Sequence, residues 1–448
     1  MAVEIQKLGI AGYRQFQETF FDFTDPKTGK PLRKICFIGG NGTGKSTLLK
    51  LLWRIFEPGA ELPKSPQRGL ILSFLKEEAL LWSEAFFSDQ TFSQSGDEAA
   101  EDLWALALSL KASNELIGLR SLPRGERSGR PVTGDIARTR CLYCPADSEQ
   151  GFFPEQLRDV PSTNLDAALK WDTDHGVRRV VGQGTVYLFW LELMATIKDR
   201  EAKLIAYQKI ESNRERTIRE VEEEFLEGNP DILKELADFW DVILGKAGLE
   251  FDYKNASVPI QLTDNLKAYI RLKRSEERIP YVDLSTGLRN FILKLGHIFT
   301  MFRGKPENGG VLLIDEPENS LYPDFLFDLV GHYERAAPGA QIFMATHSPI
   351  IAAQFRPEER FILEFDENGG VTVRNGVTPE GDDPNDVLMR DFAVRTLYGP
   401  KGLEKWKRFR ELDRVIQEET DPATRRVLLK EYMDLGKAYN FSPDEVPA

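Results

Sequence analysis

The chain has 448 residues, of which 41% are hydrophobic and 29% are charged, and this is enough for one large domain or two ordinary ones. A net charge of −13 excludes a protein whose whole surface binds nucleic acid, so any DNA contact has to be a local basic patch. Three cysteines exclude a disulfide-stabilised scaffold and are typical of a protein in the reducing cytoplasm.

The chain begins with a pattern of strands. Residues 3–24 place apolar runs on both sides of the turn Gly12-Tyr13-Arg14, which predicts a hairpin. The start MAVEIQKLGI alternates and has no apolar core segment, so no secretory leader is expected. The most apolar stretch, Tyr187 to Ile197, is too short to cross a bilayer and contains Glu192, so no membrane segment is expected either.

Residues 39–50, GGNGTGKSTLLK, fill every fixed position of a phosphate-binding loop. An apolar strand at 34–38 precedes the loop and a helical run follows it, which is the context that the motif requires. The backbone N–H groups of such a loop and the helix N-terminus bind phosphate oxygens. Lys45 can reach the β- and γ-phosphates, and Ser46 can ligate Mg²⁺. The loop therefore predicts a site for a nucleoside triphosphate.

Residues 57–140 match no specific pattern. Six arginines lie between 119 and 140 with scattered Gly and Pro, which fits either a surface loop or a contact with a phosphate backbone. Cys141 and Cys144 have the spacing of half a zinc site, and the chain has no second such pair. Either two chains each supply one pair, or these cysteines lie on a strand with one thiol facing outward and one inward.

Residues 193–227 are charged and carry loosely heptad-like apolar positions, which predicts one helical arm of moderate length. Gly228-Asn229-Pro230 ends this helix, and Asp231 can start the next one through Trp240. Residues 249–283 alternate again and predict a small sheet. The arm is too short for a long coiled coil.

Two later apolar runs predict buried strands of a parallel sheet. The first, residues 309–314, ends in Asp315, which is placed to hold Mg²⁺ through water, and Glu316, which can polarise the attacking water. The second, residues 342–345, ends beside His347, which can sense the γ-phosphate.

A further phosphate-binding element precedes the first of these strands. In Leu284-Ser285-Thr286-Gly287, a Ser and a Gly open an apolar helix that extends from Phe291 to Phe302. The N-terminus of this helix is also able to bind phosphate.

The phosphate loop, LSTG at 284–287, the strand ending in Asp-Glu and the strand ending in His347 occur in the order of the ABC-type ATPase head, which the chain resembles. DEPENSLYP and ATHSP resemble the soluble branch of that superfamily, which includes the SMC, Rad50, RecF and OLD (overcoming lysogenization defect) proteins. The resemblance implies an α/β P-loop NTPase fold with a mixed sheet, a helical lobe, a short helical-arm insert and a helical C-terminal tail. The head would cover 1–380, with inserts at about 57–140 and 193–247, and the tail 381–448.

The resemblance implies a cytoplasmic, Mg²⁺-dependent ATPase whose heads form a head-to-tail homodimer around two ATP molecules, with room for a larger oligomer. Glu316, His347 and Lys45 would be catalytic, and Ser46 and Asp315 would hold Mg²⁺. The other ATP contacts within the chain would be Gly39, Asn41, Gly42, Gly44, Thr47 and Arg14. The signature and D-loop residues that reach the partner's nucleotide would be Ser285, Gly287, Asn319, Ser320 and Leu321. The glutamine that helps to ligate Mg²⁺ in this superfamily could be Gln90, Gln94 or Gln150.

The tail from Asp382 to Ala448 is helical and charged, and no acidic strand-end cluster of a Toprim nuclease follows the head. It resembles the tails of stand-alone ATPases in bacterial defence operons of the Septu, retron-associated and PARIS types, where a separately encoded nuclease or toxin acts as the effector. Two functions stay open: a phage-sensing ATPase that regulates such an effector, and a RecF- or Rad50-like DNA-repair ATPase with DNA as its partner. A transporter energy subunit is disfavoured by DEPENSLYP and the large inserts.

Overall fold

The computed structural model of the protein describes most of the chain but not all of it. The described residues are 4–56, 69–76, 79–87, 90–94, 139–146, 178–181, 199–213, 216–229, 231–251, 270–277, 279, 283–302 and 309–442. Within these ranges, no helix has both the length and the apolar character needed to cross a membrane.

The strands of the described residues form three sheets. They are β1 (Glu4–Tyr13), β2 (Phe16–Asp22), β3 (Lys34–Gly39), β4 (Gly69–Lys76), β5 (Ala79–Phe87), β6 (Gln90–Gln94), β7 (Cys141–Cys144), β8 (Arg178–Val180), β9 (Leu249–Phe251), β10 (Ile270–Leu272), β11 (Gly310–Asp315), β12 (Ala340–Ala345), β13 (Arg360–Phe365) and β14 (Val371–Asn375). The largest sheet has the order β14-β13-β3-β12-β11-β7-β8. Its pairs are parallel except that of β13 with β14, so the predicted mixed sheet is confirmed.

Helices cover both faces of this sheet. They are α1 (Lys45–Phe56), α2 (Ile218–Gly228), α3 (Ile232–Lys246), α4 (Thr286–Phe302), α5 (Pro323–Leu326), α6 (Leu329–Ala336), α7 (Pro349–Ala352), α8 (Pro384–Arg390), α9 (Pro400–Glu418) and α10 (Pro422–Tyr439). One buried cluster joins α1 to one face of β3, β11 and β12, and a second cluster joins α4 to the other face. Burial on both faces explains why these strands are continuous apolar runs rather than alternating ones.

An antiparallel sheet in the order β2-β1-β4-β5-β6 lies against the central one. The predicted N-terminal hairpin is confirmed, with Leu8 opposite Phe21. Residues 69–94, which carry no clear sequence signal, extend this sheet because β4 pairs with β1. The side chain of Gln341 joins the two sheets. Its amide accepts from the backbone N–H of Ile5 at 2.7 Å and donates to the carbonyls of Ile5 at 2.8 Å and Leu32 at 3.0 Å.

Cys141 and Cys144 lie on β7, between β11 and β8 in the central sheet. Both thiols are buried, Cys141 in the cluster on the α1 side of the sheet and Cys144 in the cluster on the α4 side. Two thiols on opposite faces of one strand cannot bind the same metal ion. The prediction that the pair lies on a strand is therefore confirmed, but the prediction of one outward-facing thiol is wrong, because both thiols are buried.

The predicted arm is helical, but the prediction of one continuous helix is wrong. Helical residues 199–208 end before a 3₁₀ turn at Glu211–Asn213, and α2 starts afresh at Ile218. Thr217 caps α2 in a reciprocal capping box with Glu220, which favours a new helix start at this point. The rings of Tyr207 and Phe225 lie 5.6 Å apart, so the two helical segments pack on each other.

The predicted helical tail is confirmed by α8, α9 and α10. Its first helix, α8, packs beside α7, which follows β12. Directly after α8, the carboxylate of Asp391 lies 3.2 Å from the guanidinium of Arg360 on β13, and both side chains are fully buried. Removing one partner of such a pair strands a buried charge and costs about 3–5 kcal/mol, so this contact fixes the start of the tail to the head.

The Gln341 bridge generates a stability prediction. Gln341→Leu leaves the backbone N–H and carbonyl of Ile5 and the carbonyl of Leu32 without their partner in a buried position. Because each buried unsatisfied group costs about 1–3 kcal/mol, we expect the free energy of unfolding in urea to fall by about 3 kcal/mol. Gln417→Leu, at an exposed position of α9, is the matched control and should change it by less than about 0.5 kcal/mol. Equal stabilities of the two variants would contradict this role of Gln341.

Candidate functional site

The site forms where the carboxyl ends of β3, β12 and β11 meet. The chain leaves β3 at Gly39, passes through the loop of residues 40–44 and enters α1 at Lys45. Gly42 and Gly44 have φ of +85° and +101°, which a residue with a side chain rarely adopts. A side chain at Gly44 would also meet the ring of Phe16 at 2.6 Å. Asn41 and Gly42 are exposed at the tip of the loop.

The loop contacts the end of β11 directly. The hydroxyl of Ser46 donates to Oδ1 of Asp315 at 3.0 Å, across 269 residues of sequence. Burial raises the pKa of Asp315, although the hydrogen bond from Ser46 opposes the shift. A hydroxyl and a carboxylate are the oxygen donors that Mg²⁺ prefers, so these two residues fit the predicted metal position.

Lys45 is held inside the loop. Its ammonium donates to the carbonyls of Gly39 at 2.8 Å and Gly40 at 3.1 Å. Burial lowers the pKa of Lys45, and the nearby carboxylates of Glu316 and Asp315 oppose that shift. The carboxylates thus counteract the effect of burial and help the ammonium to stay charged, as the binding of a phosphate anion requires.

Glu316 and His347 face each other across the ends of β11 and β12. The Nε2 atom of His347 lies 3.8 Å from Oε1 of Glu316, and each side chain is 37% exposed. Burial, and next the charge of Lys45, lower the pKa of His347, while Glu316 opposes the shift. Glu316 has φ of +45°, an unfavourable backbone conformation for a residue with a side chain. Such strain is often found at functional positions.

Glu318 is a site residue that motif reasoning missed. Its Oε1 accepts from the hydroxyl of Thr346 at 2.8 Å and from the backbone N–H of His347 at 2.7 Å. The carboxylate therefore fixes the segment that carries His347 against the turn after β11. Burial raises the pKa of Glu318. The sequence does show a second acid in Asp-Glu-Pro-Glu. Its hydrogen-bond partners lie 28 and 29 residues away, so the motif alone does not indicate what this acid contacts.

The turn between β1 and β2 lies over the phosphate loop. Arg14 donates to the hydroxyl of Thr47 at 3.4 Å, so these two predicted nucleotide contacts are adjacent. Gln15, which motif reasoning missed, donates to the carbonyl of Gly42 at 3.0 Å. The backbone carbonyl of Gln15 accepts from Val371 on β14, which links the turn to the central sheet.

The predicted signature and D-loop residues form a second group. Ser285, Asn319 and Ser320 are exposed. A Cβ atom at Gly287 would overlap the carbonyl oxygen of Ser320, so only glycine allows this approach of the two segments. Leu321 is half-buried, and in the described residues no hydrogen bond or ion pair joins this group to the phosphate loop.

The candidates for the additional Mg²⁺ ligand occupy different places. Gln90 and Gln94 are on β6, three strands from β1 in the antiparallel sheet. Gln150 lies outside the described residues. It follows β7, which is parallel to β11 and ends at the same edge of the sheet.

The six arginines at 119–140 are also outside the described residues, except Arg140. This side chain is buried, with its guanidinium 5.1 Å from the ring centre of Phe302, so it does not contribute to a surface contact with DNA.

Comparisons with known proteins identify the family. Solved structures similar to this chain include the SMC head domain from Thermotoga maritima, with 14% identity, 84% of this chain and 100% of that chain covered, and a TM-score of 0.41. Another is an SMC head domain with an extended coiled coil bound to the C-terminal domain of ScpA, from Pyrococcus furiosus, with 11% identity, 83% and 96% covered, and a TM-score of 0.39. No curated protein sequence matches the chain.

The family model described as AAA ATPase domain matches residues 4–102 and 191–352, which is more than half of the chain. These two ranges contain the phosphate loop, both strand ends of the site and the helix that begins at Thr286. The chain belongs to the AAA ATPase domain family.

Proposed function

We propose that this protein is an ATPase that hydrolyses ATP between two copies of itself and regulates a separately encoded nuclease or toxin in bacterial defence against phage. The observation that carries the ATPase assignment is the Ser46–Asp315 hydrogen bond of 3.0 Å, with Glu316 and His347 beside it. It brings a phosphate-binding loop, an oxygen ligand pair and a candidate general base to one sheet edge.

Within one chain, the loop and Lys45 bind the phosphates, and Arg14 and Thr47 extend this surface. Ser46 and Asp315 would hold Mg²⁺, which would neutralise phosphate charge. Glu316 accepts a proton from the attacking water, and His347 lies within reach of its carboxylate. Glu318 keeps His347 in position through the backbone N–H of that residue.

A second copy completes the site in this proposal. Ser285, Asn319 and Ser320 are exposed and form a group of their own, so they are available to a nucleotide bound by another chain. The N-terminus of α4 at Ser285 and Thr286 supplies a partial positive charge for the γ-phosphate of that nucleotide. ATP then stabilises the dimer because its γ-phosphate contacts both chains, and hydrolysis releases it.

The regulatory role is supported by the tail. The helices α9 and α10 pack on each other, with a buried cluster of Trp406 and Phe409 on α9 and Phe441 just after α10. Within the part of the chain that the structure describes, this pair adds no residue to the nucleotide site, so its surface is available to another protein. The alternative, a DNA-repair ATPase, has no supporting observation in the described part of the chain, where Arg140 is buried.

The first prediction concerns nucleotide binding. Lys45→Ala removes a charged donor to the phosphates, so we expect the affinity for ATP to fall by about 10- to 100-fold. A fluorescent ATP analogue titrated into the purified variant measures this change. Lys27→Ala, in an exposed turn, is the control and should bind as the unmodified protein does. Unchanged binding by Lys45→Ala would exclude this loop as the nucleotide site.

The second prediction concerns hydrolysis. Glu316→Gln keeps the size of the side chain but removes the base, so we expect ATP turnover to fall at least about 100-fold. ATP should still bind, and an ATP-bound dimer should accumulate in size-exclusion chromatography with light scattering. Glu367→Gln, in the exposed turn between β13 and β14, controls for the loss of one negative charge. Normal turnover by Glu316→Gln would make the assignment of the base wrong.

The third prediction tests the composite site by mixing two inactive variants. Lys45→Ala disables a chain's own nucleotide, and Ser285→Arg blocks its contact with the partner's nucleotide. A heterodimer of the two contains one intact site, so an equal mixture should recover roughly a quarter of the unmodified activity. Each variant alone should stay inactive. A mixture as inactive as its components would contradict hydrolysis between two copies.

A further inference from the structure

The C-terminal hairpin of α9 and α10 is closed by its own contacts. The rings of Phe409 and Tyr432 stack at 4.2 Å, and Arg408 on α9 pairs with Glu431 on α10 at 2.9 Å. Among the described residues, Tyr398 of the preceding segment packs against the buried cluster of this hairpin, and no residue of the nucleotide-binding head belongs to it. The two helices therefore pack on each other through this cluster, and α9 buries Leu412 and Ile416 in addition.

The second helix of this unit has an unpartnered side. No residue of α10 is buried, although the helix is 18 residues long. Arg426, Leu429, Met433 and Lys437 follow each other at spacings of three and four, so they form one stripe along the helix. Leu429 is 44% and Met433 51% exposed, with the basic residues at the two ends of the stripe. We call these four residues the α10 stripe.

The charge of α10 indicates which kind of partner the stripe can bind. The chain as a whole has a net charge of −13, yet α10 contains four Lys or Arg and only two Asp or Glu. One of these acids, Glu431, is already paired with Arg408. In the described residues, Arg426, Lys430 and Lys437 form no ion pair, and Asp434 is the one other acid of α10, so the helix keeps an excess of positive charge around the apolar centre.

Three kinds of partner could cover such a surface, and the stripe favours one of them. A second copy of the stripe would bring like charges together, which is unfavourable. Nucleic acid would use the basic ends but would leave Leu429 and Met433 without apolar contact. An amphipathic helix with an apolar face and acidic flanks satisfies both the centre and the ends, and it would turn the two-helix unit into a three-helix bundle.

We propose that the α10 stripe docks an acidic amphipathic helix of another protein, packed along Leu429 and Met433 and held at its flanks by Arg426 and Lys437. This gives the separately encoded effector a docking surface, and to that extent it rests on the proposed function. The nucleotide site and the stripe share no residue, so each can be altered without the other.

The probe is a fluorescein-labelled peptide of 18 residues, the length of α10, with Leu along one helical face and Glu on its flanks. Anisotropy measures its binding to the full-length protein. Two control peptides are a scrambled one of the same composition and one with Lys in place of Glu. We expect only the amphipathic acidic peptide to bind, with an affinity that falls severalfold when NaCl rises from about 50 to about 300 mM.

The stripe is then altered in the full-length protein. The double variant Leu429→Glu, Met433→Glu should weaken peptide binding at least about tenfold. Val427→Glu is the matched control, because Val427 is 68% exposed on the same helix but lies on another side of it. Its affinity should stay within about twofold of the unmodified protein.

Several results would overturn the proposal. The scrambled or the basic peptide would bind as tightly as the acidic one, or the double variant would bind the acidic peptide as tightly as the unmodified protein. A DNA duplex that displaces the peptide would identify nucleic acid as the partner, and a nucleotide-free dimer of the unmodified protein that the double variant cannot form would identify a second copy. ATP turnover and the ATP-dependent dimer are measured in the same samples. If the peptide does not bind while ATP turnover and the ATP-dependent dimer are intact, only the docking role of the α10 stripe is contradicted. If the unmodified protein shows neither ATP turnover nor the ATP-dependent dimer, the proposed function is contradicted.

Discussion

The parallel register of β3, β12 and β11 is the constraint on which the site depends. Because these strands run in the same direction, their carboxyl ends meet at one edge and bring Ser46, Asp315 and His347 together from distant parts of the sequence. A slip of one residue in β11 would turn Asp315 to the opposite face of the sheet. The side chains of these strands pack into one buried cluster on each face of the sheet, so the hydrophobic core and the site are built on the same three strands.

Whether a contact of the site could be predicted from the sequence depends on how far apart its two residues lie along the chain. The phosphate loop, the acid pair at the end of β11 and His347 follow local patterns of strand, turn and helix, and the structure places them where those patterns indicate. Glu318, Gln15 and Gln341 are different, because their partners lie 28, 27 and 336 residues away. Nothing in the neighbourhood of such a residue marks its partner, so these contacts require the tertiary structure.

In the helical arm, the sequence contains two local signals that disagree. Apolar spacing over residues 193–227 favours one helix, whereas Thr217 and Glu220 form a capping box that starts a second one. Capping contributes about 1 kcal/mol, and the contact of Tyr207 with Phe225 adds to it once the chain has turned back. Periodicity alone cannot detect a turn whose two helices use the same apolar face.

The attachment of the tail limits how the nucleotide site and the α10 stripe can be linked. After His347, Ser348 caps α7, and α8 of the tail packs beside α7. The buried pair of Arg360 and Asp391 fixes the end of α8 to β13. Strand β13 pairs with β3, the strand that leads into the phosphate loop. Since opening that pair is costly, the end of α8 stays attached to the sheet. Any movement of the hairpin relative to the head has to occur in residues 392–399, where Ala393 has φ of +54°. A partner on the stripe is therefore tethered within one short segment of the sheet that carries the phosphate loop.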